Sequence, residues 1–145
     1  MARVKLDLPA TFAFRTSMQV RVGDINYGRH LGNDALLGLL HEARVRWLAA
    51  HGQSELDCWG AGLIMVDSVI VYRAEAFLGE TLLFDVATAD VHGKGCDLVY
   101  RVSAAGDGRD IAHAKTGILF FDYATRRVRA MPEEFRSALC AAAGA

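Results

Sequence analysis

The chain has 145 residues, 52 % of them hydrophobic and 23 % charged, with a formal net charge of −1. That length makes one domain, which buries roughly two-thirds of the surface its unfolded chain exposes and needs no staples. The near-zero charge excludes a global basic field for nucleic acid or anionic membrane. Three widely spaced cysteines without a CxxC pair argue against a zinc or disulfide framework, and no apolar run reaches the roughly 18 residues of a membrane span.

In chain order, the opening MARVKLDLPATFAFRT carries Asp7 and lacks the apolar run of a signal peptide. MQVRVG (18–23) alternates apolar and polar residues and predicts a half-buried strand. GDINYGRHLGND (23–34) then sets Asp24, Asn26, Tyr27, His30 and Asn33 among three glycines. After it, Leu36, Leu40, Ala43, Trp47 and Ala50 recur at steps of three and four, the stripe of an amphipathic helix over about 34–51. Asn33 is the expected N-cap, Asp34 suits the positive end of the helix dipole, and Gly52 fits the C′ position. Gly38, inside the helix, costs about 1 kcal/mol against alanine and implies close packing.

Beyond the helix the pattern becomes β. LIMVDSVIVYRAEAF (63–77), TLLFDVATADVH (81–92), CDLVYRVSAA (96–105) and DIAHAKTGILFFD (110–122) are divided by turn-like junctions, which predicts a four-strand antiparallel meander. MPEEFRSAL (131–139) reads as a short helix, and the closing CAAAGA as a frayed end. One helix stripe and one sheet face can bury each other, an α+β solution. The uncovered sheet edge then argues for a dimer.

This succession resembles the hotdog-fold thioesterases, specifically the 4-hydroxybenzoyl-CoA thioesterase-like branch. There, a loop of the form D-x-D-x-x-G-H-v-N-N precedes a long helix carrying E-x-A-R. Here the loop is GDINYGRHLGN, the helix carries His41-Glu42-Ala43-Arg44, and VYRAEAFLGETLLF, HGKGCDLVYRV and AHAKTGILFFDYATRRVRAMPEEF resemble the later segments. The resemblance spans about residues 17–136. It implies a hotdog fold, with a five-stranded antiparallel sheet wrapped around one long helix. It further implies a homodimer or homotetramer that hydrolyses acyl-CoA without a cofactor, in the cytoplasm that the cysteine usage and apolar runs already make the default. In one respect the loop departs from the family. The carboxylate usual four residues before the histidine is Asn26 here, and the loop acid is Asp24. His30 matches the family histidine, Asn33 the second Asn, and Gly32 stands in place of the first.

Thioester hydrolysis needs a polarised carbonyl, an activated water and a departing thiolate. Free N–H groups at a helix start, from about Gly32 to Leu36, can form an oxyanion hole worth about 3–4 kcal/mol per donor. Gly32 lets substrate approach the backbone. An amide has no useful basicity, so Asn26 can orient but not deprotonate. His30 can orient or act as base. Asp24 competes with Glu42, roughly 13 Å along the helix axis from Asn33, for the proton. Each has a plain structural rival: Asp24 a turn, Asn33 a cap, and Glu42 an i,i+4 pair with Arg46. Tyr27 borders the acyl pocket or plugs the loop. Cys96 is a small buried side chain or lies near the site. Arg73 and Lys94, with Arg101, Arg126 and Arg127, are candidates for the phosphates of CoA or are simply solvated. The other histidines lack metal-ligand spacing, and Leu40 and Trp47 read as core. Two further functions fit the same residues: an acyl-thioester binding module without turnover, because of Asn26, and an enoyl-CoA hydratase built on Asp24 and His30.

Overall fold

The computed structural model describes residues 3–140. The frayed end expected at 140–145 therefore lies, beyond Cys140, outside the described residues. The strands are β1 (Phe14–Gln19), β2 (Gly62–Tyr72), β3 (Thr81–His92), β4 (Gly95–Ala104), β5 (Asp110–Asp122) and the two-residue β6 (Arg127–Val128). The helices are α1 (Asn33–Ala49) and α2 (Glu133–Phe135), the latter continued by a wide turn over Arg136–Cys140. A single 3-10 turn, Val22–Asp24, follows β1.

Every strand pairing is antiparallel, in the order β1-β3-β4-β5-β2, with β6 added to β5. The expected meander is thus corrected. Only β3, β4 and β5 follow one another by hairpins; β2 pairs with β5, from Gly62 opposite Phe121 to Tyr72 opposite Ala112. The strand stops at Tyr72, five residues before the expected end, because Arg73 and Ala74 both turn their N–H groups onto the Ile111 carbonyl (2.9 and 3.2 Å). The chain then crosses to β3. Alternation along one strand says which face is buried, not which strand lies beside it.

β1 is also displaced, to residues 14–19 instead of 18–23. The Val20 N–H still bonds the Glu80 carbonyl at 2.9 Å, but Val22 is already 77 % exposed and the chain bends away.

The helix α1 has 17 residues. Leu36, Leu40, Ala43 and Trp47 are buried as expected; Leu39, Arg44 and Leu48 join them, and Ala50 is exposed. Gly38 meets nothing within 4 Å of where a Cβ would stand, so the expected close packing is absent. Gly52 does end the helix. It takes φ +72°, its N–H bonds the Ala49 carbonyl (2.9 Å), and the Gln53 N–H bonds that of Leu48 (3.0 Å), a Schellman closure.

The expected single long helix wrapped by the sheet is corrected: α1, of 17 residues, does not fill the sheet's apolar face alone. Phe135, fully buried on α2, packs edge-on against Trp47 (6.0 Å), Trp59 (6.2 Å) and Phe120 (4.8 Å). The helical layer is therefore shared between α1 and the C-terminal turn. No helix among the described residues is long and apolar enough to cross a membrane.

Candidate active site

The loop from β1 to α1 folds back on its own backbone. Asn26 N–H donates to the His30 carbonyl (2.9 Å), Arg29 N–H to that of Asn26 (3.0 Å), and Gly32 N–H to that of Asp24 (2.9 Å). Leu31 N–H reaches the Ala76 carbonyl (2.8 Å) and ties the loop to the β2–β3 crossing. The side chain of Asn26 closes the turn, its Oδ1 accepting the Gly28 N–H at 2.8 Å. Arg29 sits at φ +67°, a left-handed backbone that costs a non-glycine residue about 1 kcal/mol.

This folding sets His30 and Asn26 around one glycine. A Cβ on Gly28 would lie 3.1 Å from His30 Nε2 and 3.2 Å from Asn26 Oδ1. His30 Nδ1 is 3.2 Å from the Leu31 carbonyl. With the proton on Nδ1 it donates there, and Nε2 is left as an acceptor.

At the start of α1, Gly32 is the N-cap and no side chain caps the helix. Leu36 N–H makes the first helical bond, to the Gly32 carbonyl (3.1 Å). Gly32 and Leu36 therefore drop out of the expected oxyanion set. The amides of Asn33, Asp34 and Ala35 are the ones without an intrahelical acceptor. Asn33, expected as the cap, is instead the first helical residue, and its carbonyl accepts the Tyr72 hydroxyl at 3.3 Å. Burial, then the Asp34 charge, pushes the Tyr72 phenol above its ordinary pKa. A Cβ on Gly32 would lie 2.8 Å from Asp34 Oδ1, the end of a flexible side chain that can turn aside, and 3.6 Å from the Asp24 carbonyl.

Two cavities meet this helix end. The smaller, about 240 Å³, is bordered by His30, Gly32, Asn33, Leu36, Tyr72, Arg73, Glu75 and Ile111 among others. The larger, about 580 Å³, lies along another face of the helix and is bordered by Arg21, Asp24, Asp34, Gly38, Glu42 and Arg46.

The family model of the thioesterase-like superfamily matches residues 20–139, which include the loop, the whole lining of the smaller cavity and the whole sheet beyond β1. The chain belongs to that superfamily. No curated protein gives a sequence match. Among solved structures, a 1,4-dihydroxy-2-naphthoyl-CoA thioesterase from Synechocystis is 22 % identical, with a TM-score of 0.81 over 88 % of this chain and 96 % of that one. A thioesterase-superfamily protein from Jannaschia is 18 % identical, with a TM-score of 0.83 over 94 % and 86 %. A Staphylococcus aureus protein solved in complex with CoA is 19 % identical, with a TM-score of 0.78 over 92 % and 84 %. The likeness in three dimensions is that of the hotdog fold.

Within this thioesterase-like chain, the remaining sequence candidates divide. Asp24 is buried, and its Oδ2 accepts the Arg21 N–H at 2.9 Å with Arg21 Nε at 3.4 Å. Glu42 makes the i,i+4 bond to Arg46 Nε (3.0 Å), and Arg46 also holds Thr16 Oγ1 (2.9 Å) and the Ser17 carbonyl (2.8 Å). Tyr27 is fully exposed at the loop tip and plugs nothing. Arg73 borders the smaller cavity.

Lys94 and Cys96 are not brought to the loop within one chain. They stand at the start of β4, whereas Ile111, on the cavity wall, lies beside the other end of that strand. Seven residues of strand from Cys96 to Ser103 span about 23 Å. Cys96 is buried, and a hydrogen bond with Cys140, then burial, raises its thiol pKa.

Tyr72, Glu75 and the exposed Asp34 carboxylate border the two cavities but escaped the sequence reading. Tyr72 and Glu75 arrive through a nonlocal crossing that no local spacing encodes. Asp34 was legible only as a favourable charge on the helix dipole.

Proposed function

We propose that the chain hydrolyses an acyl-CoA thioester to a free acid and CoA. One observation carries this: the uncapped start of α1 opens beside His30 onto a cavity of about 240 Å³. The reading places the thioester carbonyl at the amides of Asn33 to Ala35, where charge developing on its oxygen meets N–H donors and the positive helix end. The acyl group occupies the smaller cavity, against Leu36 and Ile111. The pantetheine arm leaves along the larger, more polar groove. His30 and Asn26 orient the reactants, with Gly32 giving backbone access. Arg73 is the nearest cation to the smaller cavity for a phosphate. Asp24 and Glu42 remain candidates for the proton, though each would first have to leave its arginine.

The proposed assembly is a cytoplasmic homodimer or dimer of dimers. Its support is the edge strand β2, which has a partner on one side only and exposes Met65 and Val66. A second copy would supply the exposed Lys94 to a site it does not reach within its own chain, while Cys96 stays buried in its own core.

The test is a panel of short, long and aromatic acyl-CoAs, followed by free thiol release. The aromatic members include the substrate named for the Synechocystis neighbour. Turnover of any member supports the hydrolase; folded protein that releases no thiol overturns it. One observation favours a second reading: Asn26 is an amide and is engaged in closing its own turn. An acyl-thioester binding module predicts saturable binding of the same panel with no thiol released.

A further inference from the structure

We propose that Asp34, in the first turn of α1, is the general base of the hydrolysis, an assignment that rests on the acyl-CoA reading above. Three placements support it. Its Oδ1 folds back over the helix start, 2.8 Å from where a Cβ on Gly32 would stand. The carboxylate therefore lies over the residue that precedes the three free amides. It also borders the larger groove and acts electrostatically on Tyr72, whose hydroxyl bonds the Asn33 carbonyl and which borders the smaller cavity. Asp34 thus stands on the border of the larger groove, next in the chain to Asn33 on the border of the smaller cavity.

Availability decides among the loop and helix carboxylates. Asp24 accepts from Arg21, and Glu42 from Arg46. Glu42 is also displaced by nine residues of helix from Asn33, about 13 Å. Glu75, exposed like Asp34, borders the smaller cavity from the β2–β3 crossing, whereas Asp34 is itself one of the three residues at the uncapped helix start. Asp34 makes no ion pair and accepts no side-chain hydrogen bond among the described residues. A base must have a free lone pair within reach of the water it deprotonates.

In the step, Asp34 takes a proton from water as the water oxygen bonds the thioester carbon. The carbonyl π pair moves onto oxygen, against the amides. Collapse of the tetrahedral intermediate breaks the C–S bond, and the CoA thiolate takes up the proton from Asp34. The products are the carboxylic acid and the CoA thiol, and Asp34 ends as it began.

The experiment uses the full chain and an acyl-CoA that the wild type turns over. Asp34→Asn should lower kcat by about 100-fold or more, with KM little changed. Asp34→Ala should lose activity similarly and regain a measurable part of it on addition of formate, which supplies a small carboxylate to the vacated space. A merely structural Asp34 would move thermal stability and give no formate rescue. Asp34→Ser, which keeps a helix-compatible polar residue, guards against a folding failure. Wild-type turnover with undiminished kcat in the folded Asp34→Asn or Asp34→Ser protein overturns the assignment and leaves the hydrolase standing. A folded wild type that releases no thiol from the panel overturns both.

Discussion

Arg44 Nε donates to Glu55 Oε1 at 2.8 Å, with the arginine side chain only 8 % exposed and the glutamate 27 %. The guanidinium lies under α1, with Nη1 3.9 Å from Met65 Sδ. It also lies by Tyr100, whose buried hydroxyl is 3.0 Å from Thr116 Oγ1. His41 Nε2 is 3.1 Å from the same Glu55 oxygen, but on the exposed side. Removing the glutamate charge therefore leaves a buried cation without its nearest anion. Glu55→Gln should destabilise the fold by about 2 kcal/mol, below the full value for a buried pair because Glu55 is partly solvated. That corresponds to a Tm lower by roughly 5 °C. Arg44→Met, which removes the charge and keeps much of the volume, should lose less. Thermal melts of both variants check the order; an equal or larger loss for Arg44→Met would contradict it.

His30 offers the most direct probe of the loop. Its Nε2 stands over Gly28 beside the Asn26 amide, while Nδ1 faces the Leu31 carbonyl. The imidazole closes no helix and fills no core, so its loss should leave the fold intact. His30→Ala should lower kcat/KM for a turned-over acyl-CoA by about 100-fold, the lower end of acid–base or positioning effects. Asn26→Ala should lower it too, and should also lose about 1 kcal/mol of stability with the bond to Gly28. Undiminished rates in both folded variants would remove the loop from the site.

The long regular elements were legible because their signals are local. β3 and β5 match their expected limits, and α1 starts and ends within two residues of them. The loop was legible as a site through its dense polar residues beside a helix start. What the sequence hid is nonlocal. The side-by-side placement of β2 and β5 depends on the crossing after Tyr72, and that same crossing carries Tyr72 and Glu75 to the loop. Asn33 looked like a cap because its residue type is the usual one, yet Gly32 has the extended backbone of the N-cap (φ −72°, ψ 150°) and Asn33 is already helical. Of the two readings of Cys96, the small buried side chain holds, and the residue lies about 23 Å along β4 from the cavity end of that strand.

Phe135 tests how far the C-terminal turn belongs to the core. It is fully buried and meets three aromatic rings, at 4.8 to 6.2 Å, from α1, β5 and the segment before β2. Truncation to alanine removes those contacts and leaves a void between α1 and the sheet. Phe135→Ala should therefore cost about 3–5 kcal/mol, as measured by denaturant midpoint. A loss below about 1 kcal/mol would mean the turn is an appendage instead of part of the helical layer.

The β2–β3 crossing is clamped by charge, which gives it a pH dependence. Glu80 Oε1 accepts the Phe77 N–H (2.8 Å) and Arg109 Nη2 (2.6 Å), and Arg109 Nη2 also holds the Glu75 carbonyl (3.0 Å). The hydrogen bond from Arg109 holds the Glu80 carboxyl below its ordinary value of 4.5. A depressed carboxylate contributes stability that is present above its unfolded pKa and is lost as pH falls through the folded one. Amide exchange of residues 73–80, corrected for its intrinsic pH dependence, should thus lose protection as pH drops below about 4.5, the unfolded reference. Arg109→Ala should show the weaker protection already at neutral pH. Protection of that segment independent of both pH and Arg109 would refute the clamp.

The free edge of β2 makes the last prediction. β2 hydrogen-bonds β5 on one side and has no strand on the other among the described residues. Its middle holds a register shift between Met65 and Asp67, and the chain there exposes Met65 (45 %) and Val66 (52 %). Edges of monomeric proteins are usually guarded by inward charges, bulges or prolines. Here the bulge is present, but Asp67 is turned back onto its own sheet, its Oδ1 accepting from Lys115 Nζ (2.8 Å) and from the Gly117 N–H (2.9 Å). The apolar pair beside it is left without a charge of its own. A second copy meeting this edge antiparallel would satisfy the unpaired backbone groups and cover Met65 and Val66 symmetrically. Sedimentation of the wild type should therefore give a dimer or larger even assembly. Val66→Lys should shift it toward monomer at equal concentration, because two lysines would face each other across the axis. A wild type that sediments as a monomer, or a Val66→Lys protein that associates as tightly, would show that the chain does not pair through β2.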